Sequence, residues 1–132
     1  MSNWMMAGCF SMGVLAALAT GCASREVEVS GELSAAVGTD VRGPIVLELY
    51  DAKGAGEELE LERVHTANLQ TLGKFSEKAE FSGERVVARA IDDRNRDGAC
   101  SAGEAWGEAE AEIGDDDTTE AIAIVLSAKP CP

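Results

Sequence analysis

Apolar and charged residues alternate one by one through most of this chain. A period of two is the pattern of a strand with one wet and one buried face, not of a helix. Val27, Val29 and Leu33 interleave with Glu26, Glu28, Ser30 and Glu32. Ile45, Leu47 and Leu49 follow Gly43-Pro44, Leu59 and Leu61 sit between Glu58, Glu60 and Glu62, and Phe75, Ala79 and Phe81 alternate with Lys74, Ser76, Lys78 and Glu80. Val86 to Ile91 makes a fifth run, Ala109, Ala111 and Ile113 a sixth, and Ile122, Ile124 and Leu126 a seventh. Turn-forming residues part them at Gly38, Gly54 and Gly56, Gly73, Gly83, Gly98 and Gly103, and Gly114-Asp115. About seven short strands so spaced predict an all-β chain, a single antiparallel β-sandwich over residues 26–132, rather than a helical or βαβ plan.

Charge then narrows the function. Every charged side chain lies after Cys22, so the formal net charge of -13 falls on the same segment as the strands. That sign repels phosphates, and no Lys/Arg stripe is present to displace their counterions, which excludes nucleic acid as a partner. Direct adsorption to anionic lipid is disfavoured for the same reason. The excess itself predicts solubility; a role in holding a divalent cation requires a local motif.

Such a motif exists. Asp93-Arg94-Asn95-Arg96-Asp97-Gly98 followed by Glu104 satisfies the pattern D-x-[DN]-x-[DN]-G-x5-E at every specified position. Side chains at alternate positions 93, 95 and 97 can turn to one centre while Gly98 allows the sharp bend. The Ala99 carbonyl and a water beside Ser101 add oxygens, and Glu104 closes the set with both carboxylate oxygens. The expected cofactor is one Ca2+ ion. The run resembles the loops of EF-hands and dockerins, with one departure: the eighth position, usually a branched aliphatic that pairs with a sister loop, is Cys100. The flanks do not suit helices, because Val86 to Ile91 is β-branched and Gly107 would weaken a helix leaving Glu104. Asp92 and Asp115 to Asp117 are expected to be solvated; the alternative is that they are reserve ligands.

At the other end, Leu18-Ala19-Thr20-Gly21-Cys22 closes an apolar stretch and resembles a bacterial lipobox. Ala19 stands where Leu is usual, and Met1 to Gly21 carries no Lys or Arg. The resemblance implies that residues 1–21 are a signal peptide and that Cys22 carries the lipid. Residues 22–25 would be a short tether, and the cell envelope the location, held through acyl chains. Ala23 and Ser24, in place of Asp, favour the outer over the inner membrane. The alternatives are cleavage after Ala17-Leu18-Ala19, or retention of the stretch in an anchored or cytosolic chain. With Cys9 removed and Cys22 acylated, the lipoprotein reading leaves Cys100 and Cys131, which an exported protein would join in a disulfide and a reducing compartment would leave as thiols.

Gly43-Pro44-Ile45 opening the second run, Gly73-Lys74-Phe75 opening the fourth and Val86 to Ile91 after Gly83 make the pattern similar to transthyretin-like or carboxypeptidase-regulatory-like sandwiches. The resemblance implies a binding or scaffold module and no catalysis. His65, the single histidine, has no partners at the spacing of a zinc site or a catalytic triad. Gly73-Lys74 lacks the rest of a phosphate loop. Trp106, just after the acidic loop, is expected to cap the sandwich; the alternative is an exposed platform for a sugar or peptide. The expectation is therefore a lipid-anchored, non-catalytic envelope module with a structural or interaction role, its protein or glycan partner unspecified.

Overall fold

A computed structural model describes residues 24–132. Seven strands follow one another as β1 (Arg25–Ala35), β2 (Ile45–Lys53), β3 (Glu60–Leu69), β4 (Gly73–Phe81), β5 (Arg85–Asp92), β6 (Ala105–Glu112) and β7 (Ile122–Ala128), with one short 3-10 turn at Gly56–Glu58. All seven alternating runs become strands. The expected leader, the lipobox and Cys22 lie outside the described residues.

The strands hydrogen-bond in the order β3-β2-β5-β6-β7-β1-β4. This one continuous sheet behaves as two: the one ladder joining β3-β2-β5-β6 to β7-β1-β4 among the described residues is the short one where Ala105 and Trp106 meet Ala128 and Ser127. It curls so far that its outer strands β3 and β4, joined by a short hairpin turn, face each other, and the sandwich approaches a closed barrel. One pair departs from the antiparallel expectation, for β1 and β7 run parallel from Gly31–Ile122 to Ala35–Leu126. Alternation reports which face of a strand is buried and carries nothing about the direction of its neighbour.

The inward phase of each strand supplies the core. Val27, Val29 and Leu33 meet Ile45, Leu47 and Leu49, Phe75 and Phe81, Val86, Ala88 and Ala90, and Ile122, Ile124 and Leu126, all of them buried. The third run is different: Leu59 and Leu61 are exposed. Leu61 lies at the outer end of edge strand β3 and Leu59 just before it, and the strand's inward contribution comes further along, from Val64, Ala67 and Leu69 packing on the core. A register shift opposite Leu49 and Tyr50 separates these two halves of β3.

Two carboxylates sit among the apolar residues at strand ends. Asp51, 1% exposed, accepts from the main-chain N–H of Ser82 (3.0 Å) and Gly83 (3.2 Å) and from the Ser82 hydroxyl. Asp92, 0% exposed, accepts from Gly43 N–H (2.7 Å) and Arg42 N–H (3.3 Å) and pairs with Arg94 Nε at 3.0 Å. The expectation that Asp92 is solvated is thus corrected. Each acid gives the donors of a turn the partners that burial would otherwise deny them.

These turns define two ends. Arg25, at the start of β1, pairs with Asp117 at 3.2 Å and lies beside Glu84, so one pole gathers the start of β1, the turn after Phe81 and the turn at 114–118. Ala36 N–H donates to Leu126 O, and Asp93 N–H to Pro44 O. The other pole therefore gathers the end of β1, the start of β2, the segment 93–104 and the C-terminal residues. Between the poles lie the eleven residues of β1, roughly 35 Å of strand.

Candidate functional site

The segment between β5 and β6 is irregular because its side chains compete for its own main chain. Arg96 (φ 60°) and Gly98 (φ 79°) adopt left-handed backbone, and the second of these conformations is the one glycine takes without strain. Wrapped this way, the loop brings its two ends together. Asp93, 3% exposed, accepts from the N–H groups of Gly98 (2.8 Å) and Asp97 (3.3 Å). Glu104, 4% exposed, accepts from Ser101 N–H at 2.8 Å through one oxygen and from Asn95 N–H at 3.3 Å through the other.

Between these carboxylates the remaining side chains touch. Asn95 Nδ2 donates to Asp97 Oδ2 (3.2 Å) and to Ser101 Oγ (3.1 Å), and Ser101 Oγ lies 3.3 Å from Asp97 Oδ2. Ala99 is fixed by its N–H, which donates to Asp97 Oδ1 at 3.0 Å. That N–H does most to hold the Asp97 carboxyl below the usual carboxylate range; hydrogen bonds from its loop neighbours add to it and partial desolvation opposes it. All six residues named from the spacing, Asp93, Asn95, Asp97, Ala99, Ser101 and Glu104, are therefore drawn into one hydrogen-bonded knot. Among the described residues no three His, Cys, Asp or Glu side chains form a metal-holding group by themselves. The convergence depends on Asn95, Ser101 and the main chain.

The donor set is oxygen throughout, which suits a hard cation such as Ca2+ and not the sulfur and nitrogen preferences of zinc. Several of these oxygens accept hydrogen bonds from within the loop, a means of spacing carboxylates that would otherwise repel.

Both flanks are tied down. Cys100 and Cys131 form a disulfide, Cα–Cα 5.8 Å, so the loop is fastened to the C-terminal residues. Before the loop, the Asp92 carboxylate binds Arg94 and the turn at Arg42-Gly43. Gly43 lies so close that an added Cβ would come within 2.9 Å of Arg94 Cα. After the loop, Trp106 donates its indole N–H to Pro130 O at 2.8 Å, and its ring carries the Lys129 ammonium at 4.5 Å with the Arg89 guanidinium at 5.8 Å. The indole thus holds the C-terminal segment against the outer face of the sheet and is not part of the buried core cluster.

The outer face of β2, β5 and β6 continues from Trp106. Arg89 stands across from Glu48 on β2 and Glu108 on β6, and donates to Glu108 Oε2 at 2.7 Å. Glu48, 5% exposed, accepts from the Tyr50 hydroxyl at 2.7 Å and from Arg63 at 3.1 Å. Burial and the Glu48 carboxylate together raise the pKa of the Tyr50 phenol.

Sequence reasoning missed the place of His65. It faces Glu77 Oε1 at 2.9 Å across the gap between edge strands β3 and β4. Glu77 stands in phase with Phe75 and Ala79, an inward position, and an acid at that phase was the available signal. Asp115 to Asp117 lie at the far pole from the loop: Asp116 accepts from the Thr118 hydroxyl (2.8 Å), which lowers its pKa, and Asp117 pairs with Arg25.

Compared with known proteins, the chain matches no protein-family model, no curated protein and no solved structure.

Proposed function

We propose that this chain is a lipid-anchored, non-catalytic module of the cell envelope with a structural or interaction role, whose loop from Asp93 to Glu104 holds one Ca2+ ion as a structural brace. The observation that carries the calcium reading is the cradle. Two carboxylates from opposite ends of the loop are nearly buried and are held by N–H groups of the residues they enclose, with Asn95, Asp97 and Ser101 between them. Asp93, Asn95, Asp97, Ser101 and Glu104 would supply side-chain oxygens, directly or through water, and Ala99 its carbonyl. The ion would supply positive charge among the loop's carboxylates, in a chain already at -13. The disulfide takes the bracing part that a sister loop plays in an EF-hand pair. The alternating strands, Gly43-Pro44 and Gly73-Lys74 support the likeness to transthyretin-like scaffold sandwiches.

Lone extracellular sites of this type bind at about 0.1 to 1 mM. At a few mM free calcium the linkage is therefore about 1 to 2 kcal/mol, enough to raise the melting temperature by several degrees. Glu104→Gln is expected to abolish that shift. Asp116→Asn, at the opposite pole, is expected to leave it unchanged. Identical melting curves in calcium and in chelator, with the disulfide formed, would remove the calcium site from the proposal.

The anchor is supported by Leu18-Ala19-Thr20-Gly21-Cys22 and by the short interval between Cys22 and Arg25, where β1 begins. Outer-membrane placement follows from Ala23 and Ser24. Intact-mass analysis of detergent-extracted protein is expected to show residues 1–21 removed and acyl chains on Cys22, and Cys22→Ala is expected to release the domain or stall its precursor. Membrane-bound protein with an unmodified Cys22 would contradict the anchor.

A further inference from the structure

Cys100 stands in the middle of the proposed calcium loop, between Ala99 and Ser101. Each of these neighbours is hydrogen-bonded to a carboxylate of the set, for Ala99 N–H donates to Asp97 Oδ1 at 3.0 Å and Ser101 N–H to Glu104 Oε1 at 2.8 Å. The Ser101 hydroxyl also accepts from Asn95 Nδ2 at 3.1 Å. A displacement of Cys100 is therefore carried by the main chain to Asn95, Asp97 and Glu104 together.

What fixes Cys100 comes from outside the loop. Among the described residues, the N–H groups of Asp97, Gly98, Ala99 and Ser101 donate only to Asp93, Asn95, Asp97 or Glu104. Ser101 O accepts from Glu104 N–H at 3.0 Å, again within the loop. The covalent tie leading out of this stretch is the bond from Cys100 to Cys131, whose Sγ lies 3.4 Å from Ser101 O. Cys131 follows β7 in a segment that forms no strand and is held to the sheet at Trp106 through Pro130 and Lys129. Both cysteines are half-buried, open enough for a small thiol to reach the bond.

We infer that the Cys100–Cys131 disulfide is a redox control on the calcium loop: reduction slackens the segment from Ala99 to Ser101 and lowers calcium affinity, and bound calcium in turn makes the disulfide harder to reduce. A loop freed of its cross-link has to be ordered by the ion at the moment of binding, and that cost is subtracted from the affinity. The two effects are one coupling and have the same size, because linked equilibria are reciprocal. The reductant is a dithiol. Its thiolate attacks one sulfur, the S–S bond breaks, and a mixed disulfide forms while the other cysteine leaves and takes a proton. The second thiol of the dithiol then attacks the mixed disulfide, so the dithiol departs as its own disulfide. Two electrons and two protons have passed to Cys100 and Cys131. The inference rests on the calcium reading of the loop and adds to it control by the thiol–disulfide balance of the compartment.

The test uses the full chain in detergent. Calcium is titrated calorimetrically into the oxidised protein, into protein reduced with dithiothreitol, and into the double variant Cys100→Ser with Cys131→Ser. The oxidised protein is expected to bind one ion, and the other two forms to bind it at least about fivefold more weakly, the lower end of common coupling between sites. The reciprocal measurement equilibrates the wild type with graded ratios of reduced to oxidised dithiothreitol. Saturating calcium is expected to raise the ratio for half-reduction by the same factor, and Glu104→Gln to remove that shift. Backbone amide signals of Val29 and Leu47, in the core, are expected to persist on reduction. Absence of calcium binding by the oxidised protein would overturn the calcium reading and this inference with it. Binding of equal strength in oxidised and reduced protein would overturn this inference and leave the calcium reading standing. Collapse of the Val29 and Leu47 signals on reduction would overturn it too, since the effect would then be loss of the fold rather than slackening of one loop.

Discussion

Asp92→Ala is expected to destabilise the fold by about 3 to 5 kcal/mol, the range for removing one partner from a buried charged network. The reason lies in what the carboxylate leaves behind. Gly43 N–H and Arg42 N–H point at its oxygens, and Arg94 Nε sits 3.0 Å away. Once the acid is gone these main-chain donors lose their acceptor, and each group left unsatisfied costs about 1 to 3 kcal/mol. Arg94 is half-exposed and can turn to solvent, so its share is the smaller one. Asp92→Asn keeps the shape and one good acceptor and is expected to cost less than half as much. Urea denaturation measures both, and an unchanged midpoint for Asp92→Ala would show that the turn at Arg42-Gly43 is held by something else. Because Asp93 follows directly, the alanine variant is also expected to weaken the calcium response, whereas Asp51→Ala, with similar donors at the other pole, is expected to destabilise without doing so.

Cys131→Ser is expected to cost about 3 to 4 kcal/mol. The bond spans 31 residues, and loop closure of that length restricts the unfolded chain by about this amount on the chain-entropy account. In a small domain that is a large share of the total, and the melting temperature is expected to fall by more than about 10 °C. A local signature accompanies it. The disulfide holds the residues whose Pro130 carbonyl accepts the Trp106 indole N–H and whose Lys129 covers the ring, so the indole proton signal is expected to move and exchange faster. Cys100→Ser should match Cys131→Ser in both measures. A loss of stability with an unchanged indole signal would mean that Trp106 holds the C-terminal segment unaided.

What the sequence made legible was mostly what repeats with a fixed period. Val27, Val29 and Leu33 announce their face because burial acts on every second residue, and the acidic loop announces itself because oxygens that share a centre must recur at fixed steps. Leu59 and Leu61 misled for the same reason: alternation is identical whether a strand lies over the core or runs beyond it. Neither the parallel pairing of β1 with β7 nor the parting of β6 from β7 has a sequence period, since both are properties of two chains of residues brought together by distant turns. Asp51, Glu77 and Asp92 could have been singled out. Each is an acid at an inward phase, where burial demands a partner, but naming that partner as a turn, a histidine or a metal requires the fold.

The separation of the two poles has an electrostatic consequence. Anionic lipid headgroups concentrate cations near their surface, but that layer decays over about 8 Å at physiological ionic strength. Under the proposed anchor at Cys22 the chain would meet the bilayer from the Arg25 side, and its acidic loop would stand beyond the length of β1, roughly 35 Å away. Several screening lengths out, the local ion activity equals that of the surrounding fluid. Occupancy of such a loop would follow the mineral content of the compartment and be indifferent to lipid composition.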